Sequence, residues 1–169
     1  VLLLPSTGLK PESSTNINLG ANLVKDVAGG RLAVNLSAWN IDFKDLITGT
    51  DVTGFILANP DSPSIVRNPS NLFIISVTVP GFRNANKLAL RGLDFDVAYS
   101  HPIGSVTLNT RVGGTLTDKY DFTNAAGVTS SYLGKFNTAI APIAKLVMTG
   151  SVGLSNANNS LTLIGNYKS

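Results

Sequence analysis

The chain has 169 residues, enough for one domain and too few for most multidomain proteins. It has no cysteine and one histidine, which excludes a disulfide scaffold, a cysteine-ligated metal and a cluster of histidine ligands. Its 13 cationic and 10 anionic residues are scattered, so no basic patch favours binding to nucleic acid.

The first regular elements form a predicted hairpin. Hydrophobic and polar residues alternate with a period of two over Thr15–Leu23 and again over Arg31–Ala38, which is typical of β-strands. Val27–Gly30, between the two strands, has the composition of a turn. The apolar residues of both strands share one face, and the asparagines and serines share the other.

A long stretch without clear periodicity follows, from Lys44 to Asn86. It contains four prolines and three glycines, and we expect it to be a largely irregular loop with a short strand at Leu72–Val79. A structureless insert of this length argues against a compact soluble domain, unless the loop is functional.

The second predicted hairpin is the clearest. Lys87–Ser100 alternates, His101–Gly104 turns the chain, and alternation resumes over Val106–Val112. The apolar side chains of the two strands again lie on one face.

The expected register of this hairpin pairs Tyr99 with Val106. It matches apolar partners on one face and places Asp94 opposite Arg111 on the other.

A second polar loop is expected at Asp118–Lys135, before a third hairpin. Its strands begin at Leu146 and Leu161, and its turn is Ser155–Asn159. The chain thus has six main strands in three hairpins, with short turns at one end and longer loops at the other.

Two architectures fit this pattern. No run of about 18 apolar residues exists, so a transmembrane helix is excluded. In a soluble sandwich the apolar face is a packed core, whereas in an outer-membrane barrel it meets lipid. Strand length and loop asymmetry favour the barrel, as do mid-strand charges at Asp94, Asp96 and Arg111 and aromatics expected near strand ends at Trp39 and Tyr99.

Several segments also resemble, in order and spacing, the C-terminal half of the barrel of TonB-dependent outer-membrane receptors. They are Leu9–Ser14 (like the family's L-K-P-E-S signature), Ile17–Gly20, Gly30–Asp45, Leu88–Tyr99 (like R-G-L-D) and Gly104–Thr115. Asn18 departs from the usual glutamate, and Pro142 and Lys145 only loosely echo a late family element.

This resemblance implies an all-β, antiparallel transmembrane β-barrel fragment. Residues 1–169 would supply about six of about 22 strands, with the plug domain and the remaining strands absent. The short turns would face the periplasm and the long loops the outside.

The resemblance also implies a function. The receptor would import a scarce nutrient (an iron–siderophore, cobalamin or an oligosaccharide) across the outer membrane of a Gram-negative bacterium. Energy would come from the TonB–ExbB–ExbD complex through the missing plug. A passive porin, another outer-membrane barrel and a soluble β-sandwich adhesin are the alternatives. The flanking sequence, with or without a plug, would distinguish the receptor from a porin.

Five residues are candidates for ligand binding. Arg67 and Arg83 in the long loop would suit an anionic ligand, although such cations are often solvated or contact lipopolysaccharide. Asp94, Asp96 and Arg111 would touch the plug or the ligand, or form an ion-pair ladder in the barrel wall. No catalytic, metal or cofactor site is expected, and the chain is not predicted to be an enzyme. The expected partners are outer-membrane lipid and lipopolysaccharide, TonB–ExbB–ExbD and a small nutrient.

Overall fold

The computed structural model describes residues 1–124, 127–135 and 142–169, without the side chains of residues 85 and 86. The first elements are β1 (Leu2–Leu4), β2 (Ser13–Val27), β3 (Gly30–Gly49), α1 (Val52–Ala58), β4 (Ile65–Arg67) and β5 (Ile74–Pro80). They are followed by β6 (Phe82–Ile103), β7 (Val106–Thr123), β8 (Thr129–Ser131), β9 (Leu146–Ser155) and β10 (Ser160–Lys168).

The chain divides into two compact units. The first, here the loop unit, comprises Val1–Ser13, Phe43–Lys87 and Thr123–Val128. The second, here the sheet unit, comprises Ser14–Asp42, Leu88–Phe122 and Thr129–Ser169.

Six long strands form one sheet in the order β10-β9-β7-β6-β3-β2, and the short β8 pairs with β7. The pairs β7–β9 and β9–β10 are antiparallel over nine or more residues each. The sheet does not close on itself, so β2 and β10 are its edges. The predicted all-β, antiparallel barrel fragment of about six main strands is confirmed.

All three predicted turns are present. Two are tighter than expected, because the flanking strands run on until two residues remain between them: Ala28-Gly29 and Gly104-Ser105. Ala28 and Gly29 both have positive φ angles, 50° and 76°, as hairpins with the natural strand twist require. The third turn, residues 156–159, joins Ser155 to Ser160.

The apolar face of the sheet is not covered. Leu19 on β2 is 76% exposed and Leu163 on β10 is 71% exposed, and side chains on the same face of the strands between them are also accessible. In a soluble sandwich this face would pack against a second sheet. Its exposure favours the barrel, in which the same face meets lipid.

The apolar face has the depth of a membrane. On β6, the outward positions from Leu93 to Ile103 carry no formal charge. They span about 33 Å along the strand, which at a tilt of about 40° corresponds to the apolar band of about 25 Å seen in outer-membrane barrels. Just beyond this band, Arg91 Nε donates to Asp118 Oδ2 at 2.6 Å.

The expectation of a largely irregular loop at Lys44–Asn86 was wrong. Within it β3 continues to Gly49 and β6 begins at Phe82, while α1, β4 and β5 lie between them; the predicted short strand corresponds to β5. β5 pairs antiparallel with β4 and parallel with β1. The missed partner was β1, which is about seventy residues from β5 in the sequence.

The loop unit has its own core. Ile65, Val77 and Val79 are buried, and Val52 and Phe55 of α1 pack against them. Asp51 caps this helix by accepting the N–H of Gly54 at 3.0 Å. The loop unit is therefore a folded element built on local apolar packing.

The predicted loop at Asp118–Lys135 begins later than expected, because β7 runs on to Thr123. Tyr120 is 4% exposed, and Phe122 meets Tyr132 edge-on at 6.3 Å between ring centroids. Residues 125 and 126 of this predicted loop lie outside the described part of the chain. In the described residues no helix is long and apolar enough to cross a membrane.

Candidate ligand-binding surface

The face of the sheet opposite the apolar one, here the polar face, is lined with amides, hydroxyls and a few charges. Its hydrogen-bonded members are Asn18, Asn22, Asn35, Ser37, Asp94, Asp96, Ser100, Asn109, Arg111, Thr115, Thr149, Ser155 and Asn166. Strict alternation puts them on one side, because successive side chains of a strand point to opposite faces.

A row of polar side chains crosses four strands of this face. Asn22 on β2 donates to Asn35 on β3, and the Asn35 side chain lies beside Asp96 on β6. Arg111 on β7 donates from Nε to Asp96 Oδ2 at 2.6 Å. Neutral amides and one ion pair thus link neighbouring strands through their side chains, in addition to the hydrogen bonds of the backbone.

The expected pairing of Asp94 with Arg111 was wrong. Asp94 instead accepts from Thr115 Oγ1 at 2.6 Å, while Arg111 bonds Asp96. Thr110 Oγ1 donates to the carbonyl of Tyr99 at 3.3 Å, so Tyr99 lies beside Thr110 and not beside Val106. The cause is the two-residue turn, which moves every partner four positions along β7 without exchanging the faces.

Gly113 makes the approach of Asp96 to Arg111 possible. A Cβ at this position would lie 2.9 Å from Asp96 Oδ2. Since real Cβ atoms are almost never so close to an oxygen, any larger residue would displace the carboxylate.

Two open grooves lie on the polar face, and Arg111 lines both. One, of about 430 Å³, is also lined by Arg31, Ser100, Asn109 and Thr162. Its donors and acceptors are uncharged apart from the two guanidinium groups. Such a surface can hold a polar ligand, or a polar protein surface, through several hydrogen bonds.

The second groove, of about 710 Å³, is lined by the ion pair itself together with Asn35, Thr149 and Ile164. The Arg111 side chain is 66% exposed and that of Asp96 is 27% exposed. The guanidinium therefore has donors left for a further partner, whereas most of the carboxylate is covered.

Arg67 and Arg83 belong to the loop unit. Arg67 donates to the carbonyls of Leu72 and Pro60, at 3.1 and 3.5 Å, so its guanidinium holds the loop between β4 and β5. Arg83 is exposed at the start of β6. Of the five candidates, Asp94, Asp96 and Arg111 come together on the polar face, and their role in binding stays a prediction.

Trp39 and Tyr99 were both expected near strand ends, and the structure confirms this for Tyr99 only. Trp39 lies in the middle of β3, not near its end, and its indole fills the space left by Gly92 on β6. Tyr99 does lie near the end of β6, where its hydroxyl donates to the carbonyl of Val27 at 3.1 Å beside the first turn.

The sequence interpretation missed two parts of this arrangement. Asn35 was assigned to the polar face, but nothing in the local pattern indicated that it would reach Asp96 on another hairpin. The outward pair of Arg91 and Asp118 also went unrecognised, although both interrupt otherwise apolar alternation. Within the described residues no group of three or more histidine, aspartate or glutamate side chains could hold a metal ion.

Comparison with protein families identifies the fold. Residues 3–167 match the model of the family described as TonB dependent receptor-like, beta-barrel. The chain belongs to this family. Its members are transporters of the outer membrane and not enzymes, which agrees with a sheet that has an apolar band on one face and polar side chains on the other. Comparison with curated proteins gave no match, and comparison with solved structures gave none either.

Proposed function

We propose that this chain serves the TonB-coupled import of a scarce nutrient, such as an iron–siderophore, cobalamin or an oligosaccharide, across the outer membrane of a Gram-negative bacterium. Membership of the TonB-dependent receptor-like barrel family supports the proposal. The observation that carries it is the division of one sheet into an outward face with an uncharged apolar band and a hydrogen-bonded polar face. A wall of this kind separates lipid from an aqueous lumen.

The polar face would contact the ligand or the plug. Arg111 is the strongest candidate, because its guanidinium keeps free donors while paired with Asp96. Asp94 is exposed and would accept hydrogen bonds from the same partner. In the loop unit Arg83 would meet an anionic ligand, while Arg67 would act by holding its loop in shape.

The hairpin turns would face the periplasm and the loop unit the outside, as in outer-membrane barrels generally. The outward face would then contact lipid, with lipopolysaccharide at the level of Arg91 and Asp118. TonB–ExbB–ExbD would supply energy through a plug domain.

The test is energised uptake by the protein expressed from its complete gene. The gene is deleted from its host and restored, with and without TonB, and cells are given radioactive iron on hydroxamate or catecholate siderophores, labelled cobalamin or labelled malto-oligosaccharide. The proposal expects uptake of one probe that needs both the gene and TonB. Uptake that needs the gene but not TonB would indicate a passive porin, and no gene-dependent uptake of any probe would overturn the proposal.

A further inference from the structure

Residues Pro5–Glu12, here called the strap, connect β1 to β2 without belonging to a strand. The strap is exposed, yet side-chain hydrogen bonds attach it at three points. The N–H of Phe82 donates to Ser6 Oγ at 2.7 Å, and the N–H of Ile47 donates to Glu12 Oε1 at 2.6 Å. The third attachment is made by Asn84.

Asn84 hydrogen-bonds both backbone groups of one residue of the strap, Lys10. Its Oδ1 accepts the N–H of Lys10 at 2.6 Å, and its Nδ2 donates to the carbonyl of Lys10 at 2.8 Å. The same Nδ2 donates to the carbonyl of Asp45 at 2.7 Å. The carboxamide therefore uses both of its N–H groups and its oxygen, which an aspartate could not do.

The residue types of the strap explain why one side chain can bond both backbone groups of Lys10. A residue before proline is restricted to extended conformations, and Lys10 precedes Pro11. In an extended residue the N–H and the carbonyl point to the same side, so one carboxamide can span both.

β3 is irregular where the strap meets it. Asp45 has a φ of 56°, a left-handed conformation that aspartate tolerates better than most residues. This turns the Asp45 carbonyl to Asn84, and two residues later the N–H of Ile47 points to Glu12. The carbonyl of Asp45 and the N–H of Ile47 are thus satisfied by the side chains of Asn84 and Glu12.

We propose that Asn84 and Glu12 form a latch: their hydrogen bonds hold the strap against β3 and β6, the strands by which the chain enters and leaves the loop unit. The latch consists of solvent-exposed hydrogen bonds, which open more readily than a packed core. The core around Ile65, Val77 and Val79 is separate from it. The latch therefore opens locally while the core of the loop unit stays folded.

The proposal gives the L-K-P-E segment a physical role. Lys10 contributes its backbone, Pro11 its restriction of the preceding residue, and Glu12 its carboxylate. The role does not depend on the ligand or on energised transport, so the latch and the proposed function can fail separately.

Hydrogen exchange tests the latch on the protein from its complete gene, purified in detergent micelles. Asn84→Asp keeps the acceptor for Lys10 but loses both donated bonds. We expect it to speed exchange in residues 6–12 and 44–49 by about tenfold or more, with residues 74–80 of β5 unchanged. Wild-type exchange in residues 6–12 and 44–49, or an equal acceleration in β5, would overturn the proposal.

Glu12 supplies an independent pair of variants. Glu12→Gln keeps an acceptor for the N–H of Ile47 and should exchange like the wild type, whereas Glu12→Ala should exchange like Asn84→Asp. If Asn84→Asp fails to give a heat-modifiable folded barrel, this pair decides alone, and equal behaviour of the two glutamate variants refutes the latch. Asn158→Asp, in the turn between β9 and β10, is the control for adding a carboxylate.

Discussion

Arg111 Nε lies 2.6 Å from Asp96 Oδ2 and joins β6 to β7 on the polar face of the sheet. Asn35 on β3 lies beside the pair and lines the same groove. An ion pair this exposed contributes little to stability in water. Its importance lies in placing one guanidinium, with unused donors, in a wall otherwise made of amides and hydroxyls.

The first prediction separates binding from support of the wall. If Arg111 contacts the transported ligand, Arg111→Ala should weaken uptake affinity roughly tenfold or more, because a hydrogen bond from a charged donor is lost. Asp96→Asn should change it by less than about threefold, because it leaves the guanidinium in place. Concentration-dependent uptake by whole cells measures both. Equal losses in the two variants would show that the pair only supports the strands.

The second prediction concerns the space beneath Asp96. Gly113→Ala should destabilise the protein by about 1 kcal/mol, since its Cβ would force the Asp96 carboxylate away from Arg111 and crowd the Phe95 carbonyl. Gly165→Ala on β10 is the matched control, because a Cβ there meets nothing within 4 Å. Urea unfolding in detergent micelles compares the two. Equal stability would mean that the approach at Gly113 is relaxed at no cost.

The third prediction concerns the first turn. Ala28 has a φ of 50°, which is unfavourable for alanine and tolerated by asparagine. Ala28→Asn should therefore stabilise the hairpin by up to about 1 kcal/mol, whereas Ala28→Val should destabilise it by a similar amount or more. The same unfolding experiment ranks the three proteins. Any other order would contradict the turn geometry.

Local patterns were sufficient for the hairpins and their faces. A period of two is carried by each strand alone, so Leu19 and Asn18 could be assigned to opposite faces without knowing their neighbours. The register of β6 and β7 could not be obtained in this way. It depends on whether the strands end at Ser100 or continue to Ile103, and both lengths keep the same alternation.

The structure of the loop unit could not be predicted, because it depends on contacts between distant parts of the chain. Leu3 pairs with Val79 and so joins β1 to β5, but no pattern in either segment predicts this pairing. Asn84 and Lys10 are hydrogen-bonded although 74 positions separate them in the sequence, and Asn84 lies in a segment whose composition resembles a loop. The long-loop interpretation failed because the short elements there are stabilised by each other and not by their own periodicity.

The fourth prediction concerns the depth of the apolar face. Val112 lies on β7 opposite Val97, near the centre of the uncharged band of β6, and is 41% exposed on that face. Val112→Arg should destabilise the protein in lipid bilayers by about 2–4 kcal/mol, because arginine is unfavourable at the middle of the membrane. Asn40→Arg, on the same face at the level of the charged rim, should change stability by no more than about 1 kcal/mol. Equal effects would contradict the assigned depth.

The most direct test of the barrel assignment compares two adjacent residues of β9, Ser151 and Val152. Each is replaced by cysteine on a background without other cysteines, and the protein from the complete gene is spin-labelled and reconstituted in liposomes. We expect the label at 152 to be relaxed by oxygen, which dissolves in lipid, and the label at 151 to be relaxed by a water-soluble nickel complex. Relaxation of both labels by the nickel complex would show that the apolar face does not meet lipid and would contradict the barrel.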